Sequence, residues 1–229
     1  MPTLTQPKDI RTLAYVLRRT NYGEADRILN LLTRNGKVAA IAKGVRREKS
    51  KLAGNIEMFC KIDINIHQGK SEFGVITGAT MVEAYTKIAT DLSSLELASL
   101  ILKKINAAAE HSDNPEFFEI MSQVLPAINN GAPLSVVETW FWFNLAKATG
   151  EEVNLYRDVA GQKLDKDAIY RWDFAESALR EDPQGNIACD EIKIMRLMLT
   201  SKLAMVLHVQ NLAAKIPVIL DISKSINRI

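Results

Sequence analysis

Residues 43–51 read Lys-Gly-Val-Arg-Arg-Glu-Lys-Ser-Lys, five cations and one anion in nine positions. Positive charge at that density suits a polyanion, and a phosphate backbone is neutralised by such residues with release of its counterions. Further cations stand upstream at Arg18, Arg19, Arg27, Arg34 and Lys37. Gathered at the strand ends and connections of one small barrel, they would form a groove that tracks a nucleic-acid backbone. The candidate contacts are therefore Arg18, Arg19, Arg27, Arg34, Lys37, Lys43, Arg46, Arg47, Lys49 and Lys51. Arg27, beside Asp26 and near Glu24, suits a structural ion pair equally well. Aromatics in this part are only Tyr15, Tyr22, Phe59 and Phe73, with Tyr22 read as a packing residue. Their scarcity favours backbone contact over base readout. The competing reading of the cluster is a basic loop that is simply solvated.

Other chemistries lack their residues. There is no Walker A loop, G-x-G-x-x-G, G-x-S-x-G or H-E-x-x-H, so no catalytic role is expected. Cys60 and Cys189 are too few for a four-cysteine site, and His67, His111 and His208 lack metal-ligand spacing. The acidic pairs Glu24/Asp26 and Asp165/Asp167 fall in expected turns, where acids are common for local reasons. Trp140, Phe141, Trp142 and Phe143 read as a packed helix rather than a ligand box.

The charge is unevenly distributed. Residues 1–80 carry 14 Lys+Arg against 7 Asp+Glu, a net of +7, and the remainder is −5, which sums to the +2 of the 229-residue chain. A basic segment on a mildly acidic remainder implies two units with different partners. No apolar run approaches the ~18 residues of a membrane span, and the N-terminus lacks the apolar stretch of a signal peptide. The expected location is the cytoplasm.

The basic residues need a scaffold. Cys60, Ile62, Ile64 and Ile66 alternate with polar residues, the period of a half-buried strand. Residues 28–33 and 38–43 flank Asn35-Gly36, which predicts a type I′ hairpin. Residues 12–17 and 75–82 are two more strands, the latter reached through a turn around residues 68–73. Five short strands favour a closed barrel, because closure removes exposed edges. Strand count alone leaves an OB-type and an SH3-like barrel both open. Helices follow. One opens on a capping box at Ser93 and Glu96, the next at Asn114-Pro115, and a third runs from Pro133 to Gly150. Ile192, Met195, Leu199, Leu203 and Val206 form one more amphipathic face, with Pro217 expected to interrupt the pattern beyond it. The boundary expected is 1–82 for a barrel and 83–229 for an all-helical domain, an α+β chain.

The same residues carry a family resemblance. Leu17-Arg18-Arg19-Thr20-Asn21-Tyr22-Gly23-Glu24-Ala25-Asp26-Arg27-Ile28-Leu29 with Leu31-Leu32-Thr33 resembles the opening of the bacterial RecO recombination mediators. So do Gly36-Lys37, Ala42-Lys43-Gly44-Val45-Arg46-Arg47, Lys49-Ser50, Leu52 and the later Val82-Glu83-Ala84-Tyr85. The likeness is good over residues 10–85, rests on helix layout to 150, and is weak beyond. It implies an N-terminal OB-fold and a helical C-terminal domain. It also implies binding and annealing of single- and double-stranded DNA, and work with RecR to load RecA onto SSB-coated strands, without enzymatic activity. An adaptor that keeps the fold and the protein partners but little DNA binding is the alternative.

Many relatives hold zinc with two Cys-x-x-Cys pairs. Matching the glycine after the first pair to Gly161 places those cysteines at Arg157, Ala160, Cys189 and Ile192. One of four is cysteine, so neither zinc nor another cofactor is expected. An apolar cluster of Tyr156, Leu164, Tyr170, Trp172, Phe174 and Leu179 is expected in its place. Contact with the acidic SSB tail would need an apolar pocket with basic rims, to which Lys103, Lys104 or Lys147 could contribute.

Overall fold

The alternating stretch forms strand β4 (Cys60–Gln68), which turns Cys60, Ile62, Ile64 and Ile66 inward. In the computed structural model, which describes residues 8–69, 71, 73–151 and 153–227, it closes a barrel with β1 (Lys8–Tyr22), β2 (Asp26–Thr33), β3 (Gly36–Ala42) and β5 (Gly74–Ala84). Lys70 and Glu72, in the turn expected before β5, lie outside the described residues. The strand order is β1-β2-β3-β5-β4, and β4 returns to β1. All pairings are antiparallel except β3 with β5. This is the OB topology, so the SH3-like alternative falls.

One strand makes closure possible. Lys8–Tyr15 of β1 pair with β4, and its second half pairs with β2 across a bulge between Val16 and Arg18. A bulge adds local bend and twist, which lets one long strand serve two neighbours around a tight curve. The interior is filled by Val16, Leu29, Leu31, Ala40, Ala42, Val45, Ile62, Ile64, Ile66 and Ile76.

The β2–β3 turn departs from type I′. Its loop residues are Arg34 and Asn35, and neither has positive φ; Gly36, at φ +103°, begins β3. The Thr33 hydroxyl accepts the Asn35 N–H at 3.1 Å and donates to the Gly36 carbonyl at 2.9 Å, so a side chain closes this turn. A β-carbon at Gly36 would also strike the Asp113 carboxylate.

Two compact units emerge, Met1–Leu125 and Pro126–Ile229. The change from strand to helix does fall near residue 83, but the first unit runs on, because helix α1 (Leu92–Ala108) and the start of α2 (Glu116–Asn129) pack onto the barrel. Helix α1 is capped by Asp91, not Ser93: the Asp91 carboxylate accepts the Ser94 N–H at 2.8 Å, and hydrogen bonds from the Ser94 side chain foremost and from this N–H hold its pKa below the usual range. Asn114 caps α2 as expected, accepting the Glu116 N–H at 2.9 Å.

In the second unit, α3 (Leu134–Thr149) buries all four of Trp140, Phe141, Trp142 and Phe143 and ends at Gly150. The rest is not all helical, since β6 (Tyr170–Asp173) and β7 (Ala178–Glu181) form a hairpin. Strands of four residues are too short to show a period. The apolar face at residues 192–206 is split between α4 (Cys189–Thr200) and α5 (Leu203–Val206). Pro217, expected to interrupt the pattern, sits inside α6 (Leu212–Ile226). Pro217 and Ala213 are both exposed, so water can replace the helical bond that proline cannot make.

Candidate nucleic-acid interface

The pairing register sorts the basic residues by face. Partners Arg18↔Asn30, Thr20↔Ile28 and Tyr22↔Asp26 share one side of β1–β2, and Ile28↔Ile41 and Asn30↔Ala39 continue it onto β3. The opposite side carries Leu29, Ala40 and Ala42 into the core. The outer face is covered at one end. There Tyr15 packs against Phe118 with ring centroids 5.0 Å apart and planes tilted by 51°, Asn30 meets Asn106 at 3.1 Å, and Lys37 binds the Glu110 carboxylate of the α1–α2 connection. At the other end Arg18, Thr20 and Tyr22 are exposed.

The basic loop joins that open end. Gly44 N–H donates to the Asp26 carboxylate at 2.6 Å, and Arg46 N–H donates to the Ala25 carbonyl at 2.8 Å. The Arg46 side chain reaches the Gly23 carbonyl at 3.4 Å. Val45 is sunk in the core and anchors the segment from below. Gly44, at φ +62°, takes the left-handed turn that brings its N–H over Asp26. Lys43, Arg46, Arg47, Lys49 and Lys51 are exposed, and like Arg18 none is ion-paired with another described residue. Cations without an ion pair on a pinned loop can neutralise phosphates without first breaking a salt bridge.

The other candidates are engaged. Arg19 pairs with Glu57, and Lys37 with Glu110. Arg34 reaches Glu119 at 2.5 Å and lies 5.0 Å over the Phe118 ring. Arg27 makes no ion pair with Asp26 or Glu24 among the described residues; its Nε donates to Asn21 Oδ1 at 3.3 Å. Tyr22, read from sequence as a packing residue, is 53% exposed. The signal was present: counted from Arg18, Tyr22 has the outward parity of the strand, but the bulge at Val16 hides that phase.

The later family stretch is structural. Glu83 accepts the Tyr85 hydroxyl at 2.6 Å and the Lys61 ammonium at 3.2 Å. These bonds, the tyrosine's foremost, outweigh burial and hold the Glu83 pKa down.

In the second unit, the positions aligned with zinc cysteines do not fit the metal. Ile192 is buried and apolar, and the Arg157 guanidinium donates to the Gly161 carbonyl at 2.8 Å. Asp158 Oδ1 accepts the N–H groups of Ala160 and Gln162 at 2.9 and 2.8 Å, so hydrogen bonds close the turn. Among the described residues no three of His, Cys, Asp or Glu are grouped to hold a metal. The apolar cluster expected there is narrower. Tyr170, Trp172 and Leu179 are buried with Leu155 and Ile187, whereas Tyr156 and Phe174 are exposed.

A family sequence profile described as "Recombination protein O N terminal" matches residues 8–85, the span of the barrel. The chain is 31% identical over 154 residues to the DNA repair protein RecO of Dehalococcoides mccartyi strain 195, covering 66% of this chain and 60% of that protein. It is 37% identical over 139 residues to the protein of the same name from Bifidobacterium longum DJO10A, covering 58% of each. A Roseiflexus protein of that name is 29% identical over 151 residues, covering 66% of this chain and 53% of its own length. The matches thus span less than two thirds of these relatives. With the profile matching the residues of the barrel and proteins named RecO matching at 29–37% identity, the barrel of this chain belongs to the RecO N-terminal family.

Proposed function

We propose that this protein is a DNA-binding and strand-annealing recombination mediator in DNA repair, acting by binding rather than catalysis. The observation that carries the reading is the open end of the barrel face. Arg18 is exposed there, and the loop tied to the same end presents Lys43, Arg46, Arg47, Lys49 and Lys51 free of ion pairs with other described residues. Neutralising phosphates along one strand lowers its repulsion of a complementary strand, the electrostatic requirement for annealing. Assistance to RecA loading on SSB-coated DNA, with RecR, completes the reading. Contact with an acidic SSB tail is supported by a pocket of about 180 Å³ in the second unit. Val153, Leu155 and Leu199 wall it, and Lys147 and Arg196 line it.

Fluorescence anisotropy of labelled single- and double-stranded oligonucleotides over a salt series tests this. With about five phosphates neutralised on a single strand, the log–log salt slope is roughly −3.5. Reversing the charges at Arg46, Arg47, Lys49 and Lys51 should abolish binding and annealing together. Unchanged DNA binding in that variant would sink the site. Capture of SSB or RecR without DNA affinity in the wild type would favour the adaptor.

A further inference from the structure

We infer that Tyr22 is a base-stacking platform that makes the barrel face prefer single-stranded over duplex DNA; this rests on the DNA-binding reading above. Tyr22 is the exposed aromatic residue of the first unit: Tyr15, Tyr85, Phe117 and Phe118 are buried, and Phe59 and Phe73 are half-buried. It ends β1 on the outward face, two pleats beyond Arg18, and pairs with Asp26.

The backbone that carries the platform is anchored. Asp26 also takes the Gly44 N–H, and the Gly23 and Ala25 carbonyls take Arg46, so the turn after Tyr22 and the basic loop are tied together by three hydrogen bonds. A ring carried on an anchored backbone gives up only side-chain freedom when a base lies on it. Arg18 is exposed on the same face two pleats before Tyr22, and the exposed cations of the loop follow a segment bonded to the turn just after it. That places phosphate-binding charge on the strand before the aromatic residue and on the loop tied to the turn after it.

The chemistry selects the occupant. Flanking cations attract any polyanion, but an exposed ring adds affinity only for a π-face that can lie flat on it. In a duplex the bases are stacked on each other and offer only edges; in a single strand they are free to swing out. The occupant is therefore an unpaired base of a DNA strand whose phosphates sit on Arg18 and the loop. Val82 and Leu92 are also exposed in this unit, but neither can stack.

The test uses the full chain with labelled oligo(dT) and a labelled mixed-sequence duplex. Tyr22→Ala should weaken oligo(dT) binding roughly 5- to 150-fold while duplex affinity stays within about twofold. Tyr22→Phe should bind oligo(dT) like the wild type. Tyr22→Trp should bind it as well or better, and its added indole emission should be quenched on binding. A loss on both probes in Tyr22→Ala that Tyr22→Phe shares would assign the residue to structure and overturn the inference. So would unchanged oligo(dT) binding in Tyr22→Ala, with the DNA-binding reading left intact. A wild type that binds neither probe at low salt would fail that reading itself. Preference for oligo(U) over oligo(dT) would overturn DNA as the occupant.

Discussion

Arg34 and Lys37 flank the same hairpin and stand out in sequence as readily as Arg46 or Lys49, yet the fold uses them differently. Lys37 is held by Glu110 with its side chain only 10% exposed, and Arg34, at 62%, leans on Phe118 and Glu119. The acids that neutralise them are 73 and 85 residues away, a distance no local pattern spans. Lys37→Ala is therefore expected to cost about 1–2 kcal/mol of stability in urea unfolding, and Arg34→Ala about 0.5 kcal/mol. Both should leave oligonucleotide affinity within about twofold, whereas alanine at Lys49 or Arg47 should weaken it several-fold. A several-fold loss of affinity in a stably folded Lys37→Ala protein would return that lysine to the interface. Tyr22 was misread for a related reason: burial of an aromatic depends on what covers its strand, and the helices cover only the far end.

Elements were legible where their signals are local. Asn114-Pro115 and Gly150 mark helix ends by backbone chemistry confined to a few residues, and both sit where expected. The split between α4 and α5 was not legible, because the apolar spacing carries on across Ser201 and Lys202. Inside α4, Glu191 connects two elements. Its carboxylate accepts the Ala188 N–H at 3.0 Å at the helix start and pairs with Lys215 of α6. Burial pushes this carboxyl up, but the Lys215 ammonium and the backbone N–H groups of Glu191 and Ala188 outweigh it, so its pKa lies below the ordinary value. A carboxylate with a depressed folded pKa stabilises fully above its unfolded value of about 4.3, and that stability is lost as pH falls through the folded value. Glu191→Gln, which keeps the cap and loses the ion pair, should cost about 1–2 kcal/mol at neutral pH, given that Lys215 is partly exposed. Its stability should then fall less steeply than the wild type's below about pH 4.5. Parallel acid limbs for the two proteins would show that the pair contributes nothing.

For the whole molecule, the metal question and the division into units depend on packing. A guanidinium and a buried isoleucine stand at two of the positions where the family resemblance would put zinc cysteines, and Asp158 closes the turn by hydrogen bonds. Treatment with EDTA is therefore expected to leave Tm unchanged, and a fall of several degrees would reveal a metal that these residues do not explain. The five strands, the helix starts and the basic loop follow from local pattern: two-residue alternation, capping side chains and charge density act over a few neighbours. Strand order, and with it the OB topology, needed the parallel pairing of β3 with β5, which brings together residues over 30 positions apart. The free cations, the outward Tyr22 and the reach of the first unit to Leu125 likewise emerged only on folding. Each depends on which distant side chain arrives to cover or neutralise a residue, and that is decided by packing rather than by neighbours in the chain.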